Sequence, residues 1–312
     1  MDTTGAVTAV DLEPFRRGDA AARARVAEGI DAACRSTGFL AVTGHGVPAG
    51  LVERMFAVTS EFFDRPLAEK LRYRLDDKSA NRGYFAEGTE ALSYSLGRAS
   101  PPDLFEAFNV GWEIADDDVD EYVAPVRSQF FAPNPWPDAP ESFRATWLEY
   151  WAAMDALGHT LMAAFAVALG LPADHFEPSL DRSISVMRAV NYERRDPRAP
   201  QVEGQMRMGP HSDYGSLTIL AADRVPGLQI LTADGWVDVM PPAGGFLVNL
   251  GDLLAEWTND RWQSTVHRVL PPAADDAGPA RRRSVAWFQQ PNYDALIEVL
   301  PTCTSADNPP RY

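Results

Sequence analysis

Cysteine, lysine and long apolar runs are all scarce in this chain of 312 residues. Cysteine occurs only as Cys34 and Cys303. Two are too few for a disulfide framework, so both are expected to be reduced and structural, as in a cytoplasmic protein. No run approaches the ~18 uninterrupted apolar residues that mark a membrane span. Met1-Asp2-Thr3-Thr4 shows neither the basic nor the apolar region of a secretory signal. Positive charge is also short: 28 basic residues stand against 44 acidic ones, a net charge of −16, and lysine appears only at Lys70 and Lys78. Such a balance disfavours nucleic acid or an anionic membrane as partner, and solubility explains it. Hydrophobic residues are ample at 46%, enough to fill the core of one large or two small domains.

The chain shows no internal repeat or low-complexity tract. Its first half reads as helical. Residues 21–36 place apolar side chains at helical spacing and stop at the Gly38 turn, residues 40–42 suit a short strand, and 51–63 form a second amphipathic pattern closed by Arg65-Pro66. Residues 79–105 read as a long connection punctuated by Gly83, Gly88, Gly97, Pro101 and Pro102, and loops of that length are often functional. The longest helical pattern covers 140–171. Trp147, Tyr150, Trp151, Met154, Leu157 and Leu161 recur there at spacings of three and four, an apolar stripe that belongs to a core. After Pro172 the period changes. Short apolar or alternating runs at 183–192, 216–221, 228–231, 236–240, 246–250, 265–270 and 284–289 are separated by turns such as Asp234-Gly235 and Gly244-Gly245. Many short strands with that punctuation predict a sandwich or barrel.

Five histidines are present, and two carry the chemistry. His211-Ser212-Asp213 is followed by His267 after 53 intervening residues. Two imidazoles and one carboxylate have the composition of the face that binds non-haem Fe(II) and leaves positions open for substrate and oxygen. Side chains two apart on a strand point the same way, so His211 and Asp213 are expected on one strand face, with His267 on another strand in the run 264–269. An isolated His-x-Asp is common and by itself seldom a metal site. Downstream, Arg282 and Ser284 share one face of a further strand, where a guanidinium fork and a hydroxyl can clamp a carboxylate. Alternation turns Arg281 and Arg283 away from Ser284. His45 lies in a strand-to-helix turn, His159 in the long helix and His175 in the loop after it; none of the three is expected as a ligand.

The order His-x-Asp, His, Arg-x-Ser resembles the iron and 2-oxoglutarate dependent dioxygenases, specifically the isopenicillin N synthase-like group. The resemblance runs through Gly38-Phe39-Leu40-Ala41-Val42-Thr43-Gly44-His45-Gly46-Val47, Arg82-Gly83-Tyr84, Asp103-Leu104-Phe105-Glu106-Ala107-Phe108 and Asn191-Tyr192. It continues in Pro210 to Thr218, Pro226-Gly227-Leu228-Gln229, Asn249-Leu250-Gly251-Asp252 and Trp257-Thr258-Asn259. It implies a mixed α and β fold: a double-stranded β-helix (jelly-roll) core with flanking N-terminal helices. The division implied is 1–110 for the helical region, 111–182 for a linker and scaffold helix, and 183–300 for the core, all one structural unit. It implies Fe(II) on His211, Asp213 and His267, with 2-oxoglutarate and O2 as cosubstrates and ascorbate as the reductant in vitro. The C5 carboxylate of 2-oxoglutarate would lie on Arg282 and Ser284, with help from the Tyr192 hydroxyl. Asp252 is a candidate acceptor for a ligand imidazole. Tyr84, Phe85, Tyr94, Phe108 and Tyr214 are candidate pocket walls. The reaction implied is hydroxylation, desaturation or cyclisation of a small-molecule metabolite, with formation of succinate and CO2. An oxidase of the isopenicillin N synthase type, working without 2-oxoglutarate, and a metabolite-binding relative without turnover are the alternatives. The expected partner is a small molecule, not nucleic acid or membrane, and the chain is expected in the cytoplasm as a monomer or weak homodimer. Three departures stand out. Glu193 replaces the proline usual after Asn-Tyr. Residues 272–280 lengthen the approach to Arg282. The sequence stops at Tyr312, where relatives commonly continue into a closing helix; the alternatives are a sequence cut short and a more open site.

Overall fold

The alternating runs after Pro172 become strands. The structure is a computed structural model describing residues 7–193, 202–271 and 281–312, and the insertion at 272–280 lies outside these. Along the chain come β1 (Thr8–Asp11), α1 (Glu13–Arg17), α2 (Ala20–Ser36), β2 (Phe39–Thr43), α3 (Ala49–Phe63), α4 (Leu67–Lys70), β3 (Gly83–Phe85) and β4 (Glu106–Gly111). Next are α5 (Arg127–Phe130), α6 (Phe143–Ala168), β5 (Val186–Tyr192), β6 (Met208–His211), β7 (Leu217–Ala222), β8 (Leu228–Thr232) and β9 (Gly235–Asp238). The last are β10 (Phe246–Leu250), α7 (Asp252–Trp257), β11 (His267–Val269) and β12 (Arg282–Gln289). An eight-stranded sheet in the order β1-β2-β10-β7-β12-β5-β4-β3 faces a four-stranded sheet β6-β11-β8-β9. This is the jelly-roll core that the resemblance implies, with the N-terminal helices outside.

Alternation along the strands sorts the core into two layers. Leu40, Val42, Met187, Ala189, Phe246 and Val248 face the helices, whereas Phe39, Ala41, Val190, Tyr192 and Leu247 face the second sheet. The helix-side layer is closed by α6, whose Trp147, Met154, Leu161 and Phe165 are fully buried. By length and composition α6 is apolar enough to cross a membrane (mean hydropathy 1.2). It lies against α2 and α3 as a core helix, and its buried stripe is the one expected from the sequence.

The region expected to be helical also contributes strands β1, β3 and β4 to the large sheet. Periodicity misses β4 because all six of its residues are buried, including Glu106 and Asn109, so no alternation shows. Glu106 is the hub of a polar cluster. Its Oε2 accepts from Lys70 Nζ at 2.6 Å and from the Tyr84 hydroxyl at 2.5 Å, and its Oε1 accepts from Asn191 Nδ2 at 2.8 Å. Lys70 also donates to the Phe63 carbonyl at 2.9 Å. Burial and the bond to Glu106 push the Tyr84 phenol well above its ordinary range. Glu106→Ala is expected to destabilise the fold by about 3–5 kcal/mol, because it strands a buried ammonium without its counter-charge. A chemical-denaturation midpoint that gives less than about 1 kcal/mol, the scale of an exposed pair, would refute this.

Candidate active site

His211 ends β6 and His267 begins β11. The two strands are antiparallel neighbours that pair these residues directly, His267 against His211. The imidazole centroids are therefore 4.3 Å apart. Asp213 arrives differently from the expectation. β6 stops at His211, so Asp213 lies outside that strand, and the segment between β6 and β7 delivers the carboxylate. Backbone bonds fasten that loop to the start of α7: Asp252 N–H donates to the Asp213 carbonyl at 2.8 Å, and Gly251 N–H to the Ser216 carbonyl at 3.0 Å. Glycine is required here, since a Cβ on Gly251 would sit 2.1 Å from the Gly215 carbonyl oxygen.

The result is a compact donor set. One ligand atom from each residue lies within 4.8 Å of the others. Asp213 Oδ1 is 3.9 Å from His211 Nε2 and 3.8 Å from His267 Nε2. Asp213 Oδ2 is occupied, accepting from Thr218 Oγ1 at 2.5 Å and Asn249 Nδ2 at 2.7 Å, which leaves Oδ1 for a cation. The Nδ1 of His211 lies 2.8 Å from the Gly209 carbonyl, and that of His267 lies 3.1 Å from the Thr265 carbonyl. A carbonyl only accepts, so each Nδ1 carries the proton and each Nε2 offers a lone pair. Asp252 is not the acceptor that the sequence led us to expect. It receives Ser212 Oγ at 3.1 Å and Ser264 Oγ at 2.5 Å, and so ties the loop after His211 to the segment before His267. Burial, reinforced by His267, lowers His211 to about 4 against the opposing pull of Asp213. Burial works to raise the Asp213 carboxyl, but the two imidazoles and the bonds from Thr218 and Asn249 hold it below the ordinary range. Neutral imidazoles and a carboxylate are the forms that bind metal.

A second group of polar residues faces the same cavity. Across β12 and β5, Arg282 pairs with Tyr192 and Ser284 with Val190. Arg282 is 2% exposed, its Nε is buried without a hydrogen-bond partner, and its guanidinium carbon lies 5.1 Å from the centre of the Tyr192 ring. Burial pushes the Tyr192 phenol up, with Arg282 opposing. Glu193 does not displace Tyr192 from this register. Arg281 and Arg283 point away, to Asn191 and Asp64 and to Ser60 and Asp223 respectively. A cavity of about 250 Å³ is lined by His211, Asp213 and His267 together with Tyr192, Arg282 and Ser284.

Residues 7–139 match the family described as "non-haem dioxygenase in morphine synthesis N-terminal", and residues 184–291 match the "2OG-Fe(II) oxygenase superfamily". This chain is a 2OG-Fe(II) oxygenase. The oxygenase is 34% identical to the 2-oxoglutarate-Fe(II) type oxidoreductase hxnY of Emericella nidulans, over 97% of this chain and 84% of that protein. It is 36% identical to validamycin A dioxygenase of Streptomyces hygroscopicus subsp. limoneus, over 87% and 73% of the two chains. It also superposes with a TM-score of 0.84 on a full-length Neurospora crassa protein crystallised with alpha-KG and thymine, 30% identical, covering 98% of this chain and 92% of that one. The oxygenase is thus a 2-oxoglutarate- and Fe(II)-dependent oxidoreductase, and the His211–Asp213–His267 triad is its iron site.

Most of the aromatic walls expected for the oxygenase lie elsewhere. Only Tyr214 lines the cavity. Tyr84 and Phe108 face the helix layer, Phe85 packs at the edge of the inter-sheet core, and Tyr94 is 62% exposed. The walls are Leu92 and Ser95 from the long connection, and Val186, Arg188, Ala286 and Phe288 from β5 and β12. Alternation was the available signal: 186, 188, 190 and 192 share one face of β5, as 282, 284, 286 and 288 share one face of β12. Thr218 and Asn249 were also missed as carboxylate-orienting groups, although both stand in the motifs that carry the resemblance.

Proposed function

We propose that the oxygenase hydroxylates a small-molecule metabolite, with the C5 carboxylate of 2-oxoglutarate held by Arg282, Ser284 and Tyr192. The observation that carries this reading is the buried Arg282 in the cavity of the triad, whose Nε has no hydrogen-bond partner and which forms no ion pair among the described residues. An uncompensated buried charge is costly, and a bidentate carboxylate is its best complement. Ser284, on the same strand face, adds a hydroxyl donor, and Tyr192 stands opposite Arg282. At the other end, two Nε2 lone pairs and Asp213 Oδ1 fit Fe(II), leaving positions for cosubstrate and oxygen. Bound Fe(II), 2-oxoglutarate and O2 would supply the oxidising chemistry, consuming the cosubstrate to succinate and CO2. The chain's own residues orient the reactants and exclude side reactions. Several relatives are named as hydroxylases or dioxygenases of small molecules, including homoarginine-6-hydroxylase of Oryza sativa and validamycin A dioxygenase, and this supports a metabolite substrate.

Purified protein with Fe(II), ascorbate and 2-oxoglutarate is expected to release succinate slowly, and much faster when the true substrate is added. Oxygen consumption with a substrate but without 2-oxoglutarate would overturn the proposal in favour of an oxidase. Binding of 2-oxoglutarate is also expected to raise the unfolding temperature, because a ligand at 100 times its Kd adds about 2.7 kcal/mol to stability.

A further inference from the structure

The cavity holds a second cation that neither the triad nor the cosubstrate anchor uses. Arg188 stands on the face of β5 that carries Val190 and Tyr192, opposite Ala286 of β12, so the same pleat aims it into the cavity. Its side chain is only 11% exposed. Its Nη2 donates to Glu90 Oε2, while its Nε is buried without a hydrogen-bond partner. The Phe105 and Phe85 ring centres lie 5.0 and 5.6 Å from the guanidinium carbon and hold it in place.

Glu90 is carried by a docked segment. Its carbonyl accepts from Asp103 N–H at 2.8 Å. The Asp103 carboxylate accepts from Leu92 N–H at 2.8 Å and from Gly209 N–H at 2.9 Å, two residues before His211. Leu104 N–H donates to the Met206 carbonyl at 3.0 Å. The connection is therefore fastened to the strand that bears the first metal ligand, and Glu90 is placed by that fastening.

The contrast with Arg282 decides what this end of the cavity accepts. Arg282 forms no ion pair among the described residues and calls for an anion. Arg188 is already neutralised by Glu90. A substrate carboxylate arriving at Arg188 would meet the Glu90 carboxylate in a poorly screened cavity, and like charges there oppose binding. A neutral acceptor oxygen can lie against the part of Arg188 that lines the cavity without that repulsion. The nearby walls, Leu92, Val186, Ala286 and Phe288, suit an apolar body. We infer that the Glu90–Arg188 pair is the substrate-recognition element of this oxygenase, selecting a compact neutral substrate that presents a carbonyl-type oxygen to Arg188 and discriminating against carboxylates. The inference rests on the proposed function, since it takes the remaining space as the substrate's.

The test uses the full chain loaded under nitrogen with Mn(II) and 2-oxoglutarate. Thermal shift first reports cosubstrate binding. Absence of stabilisation by 2-oxoglutarate would overturn the proposed function and this inference with it. Matched neutral and anionic probes, benzamide against benzoate and nicotinamide against nicotinate, are then titrated by calorimetry or ligand-observed NMR. The amides are expected to bind at least about tenfold more tightly than the acids, a difference of about 1.4 kcal/mol. Glu90→Gln, which removes the counter-charge at constant shape, is expected to reverse the preference by strengthening the acids. Arg188→Met is expected to weaken the amides at least tenfold, and Arg188→Lys less; the same thermal shift verifies that each variant is folded. Cosubstrate binding together with acids that bind as well as amides, no amide binding at millimolar concentration, or an amide-to-acid ratio unmoved by Glu90→Gln would overturn this inference alone.

Discussion

Asp213→Ala is expected to abolish 2-oxoglutarate-dependent turnover and to lower Fe(II) affinity by about two orders of magnitude or more. Among the described residues no other carboxylate joins the donor set, so nothing replaces the lost oxygen. The substitution also strands the Thr218 hydroxyl and the Asn249 amide, each of which loses its buried acceptor at about 1–3 kcal/mol. His211→Ala and His267→Ala are expected to silence turnover equally. Asn249→Leu and Thr218→Val are expected to be milder, with metal affinity reduced about 10–100-fold, because they release the orientation of Asp213 and keep the ligand. Anaerobic metal titration with each purified variant checks the order. Stoichiometric Fe(II) binding with full turnover in Asp213→Ala would falsify the assignment of the triad.

The second large effect runs in opposite directions in two measurements. Arg282→Met is expected to raise the KM for 2-oxoglutarate at least about tenfold, since a charge-assisted contact is worth roughly 1.5–3 kcal/mol. The same substitution is expected to leave the cosubstrate-free protein as stable as before or more so, by up to about 4 kcal/mol, because it replaces a buried charge with no ion pair among the described residues by an apolar chain of similar volume. A fall in stability together with an unchanged KM would mean that Arg282 is structural. Arg281→Met and Arg283→Met are expected to show the reverse pattern, losing surface pairs with Asp64 and Asp223 while hardly changing the KM. If Arg283 proves to be the critical residue, the strand register is wrong.

Local pattern alone determined a good deal of this protein. Side-chain alternation needs no partner to be visible, so the strands after Pro172 other than β6, the buried stripe of α6 and the inward aim of Arg282 and Ser284 were legible. The metal-ligand residues were legible because His-x-Asp, common by itself, stands here with a distant His and Arg-x-Ser in a fixed order of motifs. Tertiary structure decided what local pattern does not encode. Strand β4 is buried on both faces and so carries no period, and its Glu106 is tolerable only because Lys70, Tyr84 and Asn191 converge on it from three other parts of the chain. Asp213 reaches the triad by a loop fastened to α7, a geometry set by the close approach of Gly251 to Gly215. Asp252 bonds Ser212 and Ser264, whereas the Gly209 and Thr265 carbonyls take the imidazole protons. The pairing of Glu90 with Arg188 joins residues 98 positions apart. Such contacts depend on where the chain returns to itself, which the packing of two sheets and a helical layer settles.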